Sequence, residues 1–205
     1  QEESRVDIFS SWNNKLPPDF IHLLYGAARV SWLEQGIFPV HGACVGNDEE
    51  GYVLLMGAPG SGKTSLTLNS VFKKDCKVFS GDKTLLKFND KNQLEAISGT
   101  HTITVRMEDI GRWSGIPKVH EQLFGDRLAF QLSPDNYSSK NSVPIKKIIL
   151  VSLNDGVEVV QHLNPASALH TLYPFFIDKQ REDILVEGDQ AFFDGSISKE
   201  IRKVL

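Results

Sequence analysis

The sequence predicts an α/β fold in which helices flank a mixed central sheet. Short runs of β-forming residues recur from residue 41 onward, as is typical of the strands of such a sheet. A glycine-rich segment joins one of these runs to a helical pattern, which indicates a strand–loop–helix unit. The strand patterns between residues 77 and 105 have no helix between them, so we expect antiparallel hairpins beside any parallel pairs.

The composition favours one globular domain spanning residues 1–205. The chain has 205 residues, 40% of them hydrophobic, which suffices for one sizeable core. The formal net charge is -4 and both signs are interspersed, so we expect neither a nucleic-acid nor a membrane partner. The longest apolar runs, such as residues 148–153, are far shorter than the roughly 20 residues that span a bilayer.

Cysteine usage and the chain ends give two further expectations. Cys44 and Cys76 are too few for a disulfide framework and have no metal-ligand spacing, so we expect two small buried thiols and a reducing, cytoplasmic location. Residues 1–16 are expected to form an arm or the remnant of a preceding segment. Because the chain begins at Gln1 rather than methionine, we expect a trimmed or partial chain.

Helical patterns are predicted in four places. Apolar residues at helical spacing follow Pro17-Pro18-Asp19, and Gly36 ends that helix. A second helix follows the glycine-rich segment over residues 65–71, a third runs from Asn164-Pro165 to Pro174, and a fourth covers residues 199–205. Strands are predicted at residues 41–45, 52–56, 77–79, 85–88, 103–105 and 147–153. Residues 111–142, rich in Gly, Pro, Ser and Asn, are expected to form a mobile cover over a site.

Residues 57–64 match the pattern G-x-x-x-x-G-K-[ST] at every fixed position. A predicted strand precedes this pattern and a predicted helix follows it, which is the context of a phosphate-binding loop, or P-loop. A tight turn without a ligand is the alternative. The predicted nucleotide-binding residues are Gly57, Ala58, Pro59, Gly60, Ser61, Gly62, Lys63, Thr64 and Ser65.

Each part of this loop has a physical role. Glycine permits positive φ, so that successive N–H groups can point at phosphate oxygens, and the helix N-terminus adds about half a positive charge. Lys63 is expected to reach the β and γ phosphates of ATP or another nucleoside triphosphate. The hydroxyl of Thr64 is expected to ligate the accompanying Mg²⁺.

Asp82 is the leading candidate for the carboxylate that accepts a proton or holds the metal during phosphoryl transfer. It follows the strand at residues 77–79, in the turn Ser80-Gly81-Asp82-Lys83. If that strand lies beside the one that precedes the glycine-rich loop, its end delivers Asp82 to the same crevice. These residue types also suit an ordinary turn, so the pattern alone leaves both interpretations open.

The order of His41-Gly42, residues 57–64 and Ser80-Gly81-Asp82 resembles the catalytic domain of HPr kinase/phosphorylase and its stand-alone relatives. The similarity to phosphoenolpyruvate carboxykinase is more distant. In the family, an Asp-Asp pair supplies the catalytic base and a metal contact. Here Lys83 follows Asp82, so Asp82 is expected to be either the base or the metal contact. The family's later glycine-rich segment is not recognisable, so neither HPr as a substrate nor the phosphorylase reaction is inferred.

The remaining candidates are weaker. The resemblance implies that His41 faces the phosphates or the acceptor, whereas a structural histidine at a strand start is the alternative. Asp155 lies where many P-loop proteins keep a second acid, but Asn154-Asp155-Gly156 favours a simple turn. An arginine is expected to contact the phosphates, and the pattern does not rank Arg106, Arg112 and Arg127.

The first hypothesis is therefore a Mg²⁺-dependent kinase of HPr kinase-like fold, with ATP as donor and a hydroxyl acceptor. The acceptor is a serine side chain, free or in a protein, or a small alcohol. The second hypothesis is an ATPase switch or sensor without a dedicated acceptor, and a third is a non-enzymatic domain with a relict loop. The chain has no Asn-Lys-x-Asp motif of the kind found in GTPases. The related kinases assemble into larger complexes, so a homo-oligomer is one expected state.

Overall fold

The computed structural model describes residues 18–117, 121–122, 126–153 and 159–182. Within these ranges helices flank a mixed sheet, which confirms the predicted α/β class. The helices are α1 (Pro18–Glu34), α2 (Lys63–Lys74) and α3 (Pro165–Glu182). The strands are β1 (Ile37–Asn47), β2 (Gly51–Met56), β3 (Lys77–Ser80), β4 (Lys83–Phe88), β5 (Leu94–Gly99), β6 (Ile103–Arg106), β7 (Glu121–Gln122), β8 (Arg127–Phe130) and β9 (Val143–Leu150).

The long strand β1 organises the main sheet. Its second half pairs antiparallel with β2 along one edge and with β3 along the other. Its first half pairs antiparallel with β4, so β3 and β4 follow the same edge of β1 one after the other. β4 pairs with β5, β5 meets β9, and β9 runs parallel to β2. The pairings among β1, β2, β9, β5 and β4 therefore form a closed circuit.

The central strands are buried on both faces because their side chains alternate between two cores. On β2, Leu54 and Met56 pack into a core that also holds Leu172 and Phe176 of α3. Leu55 points to the opposite core, with Leu68 of α2 and residues of β6 and β8. Helix α2 and the small sheet thus cover one face, and α3 covers the other.

The small sheet, in the order β6-β8-β7, is antiparallel and lies against α2. Three of the strands, β5, β7 and β8, were not predicted. β5 is poor in β-branched residues and is defined by its hairpin, in which the Asn89 side chain accepts bonds from the amides of Lys91 and Gln93. β7 and β8 lie inside residues 111–142, so the described part of that segment contains strands and is not a structureless loop.

Most elements lie where the prediction places them, but several of their ends differ; β1, for example, covers Ile37–Asn47 rather than residues 41–45. α1 ends before Gly36, whose φ is 68°, as the pattern predicts. β9 covers Val143–Leu150 rather than residues 147–153, because Val151 and Leu153 donate instead to backbone carbonyls of Met56 and Ser61. The chain leaves the strand there to follow the glycine-rich loop.

Helix α3 does not end at Pro174 as predicted. It begins at Pro165, where the Asn164 side chain caps the Ser167 amide as expected, and it continues to Glu182. Proline removes one helical hydrogen bond, but Leu172 and Phe176 on either side of it are buried in the core. Packing on both sides therefore carries the helix through the proline.

The position of β3 also differs from the prediction. We expected β3 to lie beside the strand that precedes the glycine-rich loop, but β1 lies between β2 and β3. Because β1 is antiparallel to both, β2 and β3 still run in the same direction. Their carboxyl ends therefore reach the same edge of the sheet.

One of the two cysteines is buried, whereas burial was predicted for both. Both described cysteines are free; Cys44 is buried, and burial raises the pKa of its thiol. Cys76 is only partly buried, so the expected burial holds for Cys44 alone.

The arm at residues 1–16, Asp155 and the helix at residues 199–205 lie outside the described residues. Among the described helices, none combines the length and apolar character needed to cross a lipid bilayer.

Gly46 gives a test of the close packing between β1 and β2. A β-carbon at Gly46 would lie 2.3 Å from the Gly51 carbonyl oxygen and 2.6 Å from the Tyr52 Cα. We expect Gly46→Ala to lower the free energy of unfolding by about 1–3 kcal/mol in urea titrations followed by circular dichroism. Gly111→Ala is the control, because its β-carbon meets nothing within 4 Å. Equal effects of the two substitutions would contradict this packing.

Candidate functional site

The candidate site lies at the sheet edge where β2, β3 and β9 end. The chain leaves β2 into the glycine-rich loop, leaves β3 at the Gly81-Asp82 turn, and leaves β9 at Val151. Loops at the carboxyl ends of neighbouring strands form the usual ligand crevice of α/β sheets. Here they line one side of a cleft of about 450 Å³.

The glycine-rich loop has backbone conformations that suit glycine. Gly60 and Gly62 have φ values of 80° and 96°, in the left-handed region. Gly62 is the N-cap residue that immediately precedes α2, and a β-carbon there would lie 2.3 Å from Leu153 Cδ1. A β-carbon at Gly57 would lie 2.5 Å from Ser61 Oγ, so the base of the loop is also tightly packed.

The base of the loop is anchored and its tip is exposed. The Ser61 amide donates to the Ala58 carbonyl at 3.1 Å, and the Ser61 carbonyl accepts from the Leu153 amide at 2.9 Å. Ala58, Pro59 and Gly60 are exposed. A ligand can therefore reach the loop while its ends stay fixed to β2, β9 and α2.

Lys63 lies inside the loop rather than in solvent. It is the first residue of α2 and is 9% exposed. Its Nζ donates to the carbonyl oxygens of Gly57 at 2.6 Å and Ala58 at 3.1 Å. These bonds hold a positive charge at the centre of the loop, at the helix end where backbone N–H groups have no helical partner.

Thr64 and Ser65 follow in the first turn of α2 and line the cleft. Both are half-buried, and neither side-chain hydroxyl bonds to another residue in the described part of the chain. The next hydroxyl of the helix, on Thr67, is buried and donates to the Lys63 carbonyl at 3.0 Å. The hydroxyls of Thr64 and Ser65 thus remain available to a ligand.

Asp82 lies beside β1 at the edge opposite the one that pairs with β2, and it is close to His41 of β1 itself. Asp82 lies in the interruption between β3 and β4, and His41 is paired with the next residue, Lys83. His41 Nδ1 is 3.5 Å from Asp82 Oδ1, and their side chains are 26% and 42% exposed. The two side chains lie close together, and both line the cleft.

The backbone around Asp82 is held by its neighbours. The Gly81 amide donates to the Thr100 carbonyl at 2.6 Å, and the Thr84 hydroxyl donates to the Gly42 carbonyl at 2.7 Å. The hydroxyls of Ser80 and Thr84, both buried, also contact each other. The Asp82 turn is therefore fixed to β1 and to the chain that leads into β6.

Lys83 occupies the position after Asp82 but turns away from the cleft. Its Nζ lies 4.0 Å from the centre of the Tyr25 ring on α1, a cation–π contact. Lys83 is not among the residues that line the cleft.

The small sheet and the 3₁₀ segment Met107–Arg112 form a second wall of the cleft. We call it the arginine wall because it contributes all three arginines that the sequence could not rank: Arg106, Arg112 and Arg127. Arg112 Nε is 2.9 Å from Asp109 Oδ1, and Arg106 Nη1 is 3.6 Å from Glu108 Oε1. The arginine wall and the glycine-rich loop therefore line the same cleft.

The structure thus gathers most of the predicted site residues in one cleft. Residues 59–65 of the loop line it together with His41 and Asp82, whereas Gly57 and Ala58 belong to the loop but not to the lining. Sequence reasoning missed Thr104, Asp109, Trp113 and Leu153, which also line the cleft. A signal for the first existed, since Thr104 and Arg106 alternate with the buried Ile103 and Val105.

In comparisons with known proteins, no family model and no curated protein sequence matches this chain.

The position of Lys63 gives a test of the loop as an anion site. We expect saturating Mg²⁺-ATP to raise the melting temperature of the wild type by about 5–10 °C, at roughly 100 times the dissociation constant. Lys63→Ala should lose nearly all of this shift, because the charge at the centre of the loop is removed. Lys73→Ala is the matched control, since Lys73 is exposed in the last turn of the same helix. An unchanged shift in Lys63→Ala would count against the site.

Proposed function

We propose that this chain is a Mg²⁺-dependent kinase that transfers the terminal phosphoryl group of ATP, or a related nucleoside triphosphate, to a hydroxyl acceptor. The observation that supports it most is that the glycine-rich loop with Lys63 and the His41–Asp82 pair line the same cleft. Phosphoryl transfer needs a cradle for the donor phosphates and a carboxylate for the acceptor proton. Both are present within one site.

The loop fits a polyphosphate. Gly57, Gly60 and Gly62 leave space and backbone freedom where a side chain would clash or be strained. The N-terminus of α2 and Lys63 supply the positive charge that phosphate oxygens need. When an anion enters, the Lys63 ammonium can exchange its two loop carbonyl partners for phosphate oxygens.

The cleft also suits a Mg²⁺ ion that would be coordinated mainly by the phosphate oxygens of a bound nucleotide. The described residues contain no group of three or more His, Cys, Asp or Glu side chains that could hold a metal. Mg²⁺ at nucleotide sites commonly takes only one or two protein ligands, the rest being phosphate oxygens and water. With Asp82 assigned to the acceptor, the Thr64 hydroxyl would be the protein ligand here, and the bound ion would neutralise charge that develops on the phosphates.

Asp82 is the group we assign to the acceptor. Its carboxylate is exposed to the cleft and can accept the proton of the attacking hydroxyl as the new O–P bond forms and the bond to the leaving phosphate breaks. His41, 3.5 Å away, is a positioning residue that orients this carboxylate. On the arginine wall, Arg112 offers charge for the equatorial oxygens of the transferred group.

This proposal agrees with the resemblance to HPr kinase-like catalytic domains, apart from the missing later glycine-rich segment and one difference beside Asp82. Lys83 stands where that family has a second aspartate, and its side chain contacts Tyr25 outside the cleft. Asp82 therefore serves without a carboxylate neighbour in sequence. Free thiols at Cys44 and Cys76 are compatible with a reducing cytoplasm, the compartment this activity implies.

The first test concerns Asp82. With γ-labelled ATP and a pool of metabolites and proteins, the wild type should move the label to a hydroxyl-bearing acceptor. Asp82→Asn should lower kcat by about 10²–10⁴-fold, because the proton acceptor is lost. The dissociation constant of a non-hydrolysable ATP analogue should change by less than about threefold.

Asp90→Asn, in the exposed turn between β4 and β5, is the control and should keep full activity. Full turnover by Asp82→Asn would sink the assignment of the base. Release of free phosphate with no labelled acceptor would instead favour an ATPase switch.

A second test asks whether His41 acts through Asp82. His41→Gln should lower kcat by about tenfold with little change in the KM for nucleotide, because the carboxylate is less well oriented. In the Asp82→Asn background the same substitution should cost nothing further, since its partner is already disabled. His162→Gln, at an exposed position, is the control. Additive losses in the double variant would show that His41 acts independently of Asp82.

A further inference from the structure

Arg106 and Arg127 face each other across the small sheet. They are directly paired residues on the antiparallel strands β6 and β8, and both line the cleft. Side chains at such positions are about 5 Å apart at Cβ, and like charges there destabilise a sheet. By this rule the pair does not stabilise the small sheet, whereas an anion bound between the two guanidinium groups would offset their repulsion.

The carboxylates nearby neutralise only part of the charge of the wall. Arg106 has Glu108 as an acidic partner in an exposed contact that contributes little to stability, and Arg112 has the partly buried Asp109. Arg127 is exposed, and no carboxylate in the described ranges lies within 4 Å of its guanidinium. As far as the described residues extend, the Arg127 guanidinium therefore remains available to an anion.

The charge of the cleft is opposite to that of the chain. Among the described residues, Lys63 and the three arginines line it against two acids, Asp82 and Asp109, whereas the formal net charge of the chain is -4. Such a local concentration of positive charge raises the occupancy of anionic ligands. The cleft therefore carries more positive charge than its own carboxylates neutralise, which suits an anionic ligand.

The positively charged groups of the cleft fall into two sets on different walls, which suggests two different ligands. The glycine-rich loop, the N-terminus of α2 and Lys63 belong to one wall, which the proposed function assigns to the nucleotide. Arg106 and Arg127 belong to the arginine wall, on a different sheet. A neutral alcohol would need only the Asp82 carboxylate and would supply no counter-ion to Arg127, which has no carboxylate within 4 Å in the described part of the chain.

We infer that the acceptor carries its own anionic group, a carboxylate or a phosphate ester, and that Arg127 and Arg106 bind it directly. This inference rests on the proposed function. Guanidinium forks pair with the two oxygens of a carboxylate or phosphate, which fixes orientation as well as affinity. The substrate class is thus a small hydroxy acid or phosphorylated alcohol, held by its anion on the arginine wall with its hydroxyl toward Asp82.

Sulfate provides a probe that does not require the acceptor to be known. With the loop filled by a non-hydrolysable ATP analogue and Mg²⁺, sulfate is titrated at constant ionic strength while tryptophan fluorescence is followed. Trp113 lines the cleft and reports on it. Sulfate should bind the loaded wild type, and Arg127→Gln should weaken it by at least about tenfold.

The controls distinguish three causes of weaker sulfate binding: loss of a positive charge, loss of the guanidinium geometry, and loss of nucleotide binding. Lys91→Gln removes one positive charge from an exposed turn and should leave the sulfate affinity unchanged. Arg127→Lys keeps the charge without the fork and should fall between wild type and Arg127→Gln. The inference is overturned if sulfate does not bind the loaded wild type, if Arg127→Gln binds it equally well, or if Arg127→Gln weakens the ATP analogue as much as sulfate.

Failure of the proposed function can be told apart from failure of this inference. If the wild type does not bind the ATP analogue, the proposed function is wrong. The sulfate titration is then repeated in Lys63→Ala, with and without Arg127→Gln. If sulfate binds Lys63→Ala and Arg127→Gln weakens that binding, the anion site on the arginine wall is supported. If it does not, the anion site is excluded as well.

Matched acceptors identify the anion. γ-Labelled ATP is offered with glycerol, with glyceric acid and with glycerol 3-phosphate, which share hydroxyls and differ in the anionic group. Label should reach one of the two anionic compounds, and Arg127→Gln should raise the KM for that compound by at least about tenfold. Preference for glyceric acid indicates a carboxylate and preference for glycerol 3-phosphate a phosphate ester. Equal transfer to glycerol would overturn the inference.

Discussion

The hydrogen bonding of β1 along both of its edges is the constraint on which the site depends. One edge carries β2 and therefore the glycine-rich loop, and the other carries β3 and β4 with Asp82 between them. His41 belongs to β1 itself. Because β1 is antiparallel to both β2 and β3, the loop and the Asp82 turn emerge at the same edge of the sheet. Any change in the register of β1 would separate the two halves of the proposed active site.

The close packing of β1 explains why glycines recur along it. A β-carbon at Gly42 would lie 2.9 Å from the Leu55 carbonyl oxygen, and one at Gly46 would lie even closer to β2. The two strands approach tightly in the segment that sets the position of the loop. In this respect the His41-Gly42 sequence has a packing role as well as the functional role proposed for its histidine.

The parts that could be predicted from sequence are those defined by local patterns. The loop at residues 57–64 matches a fixed spacing of glycine, lysine and threonine, and the flanking strand and helix have clear periodicity. Long-range pairing was not accessible in the same way. Residues 127–130 look unremarkable until their register opposite β6 places Arg127 against Arg106. Likewise Pro174 reads locally as a helix end, and only the burial of Leu172 and Phe176 shows otherwise.

The Asp82 turn and the arginine wall are also physically coupled. The segment that links β5 to β6 packs against the turn: the Gly81 amide donates to Thr100, and a β-carbon at Gly81 would lie 2.7 Å from the Thr102 carbonyl oxygen. β6 begins at the next residue and ends at Arg106. The carboxylate assigned to the acceptor hydroxyl and the arginines assigned to its anion are thus set at a fixed separation by one short, tightly packed stretch of chain. That separation, rather than either group alone, would decide which hydroxy acids or phosphorylated alcohols can place a hydroxyl at Asp82.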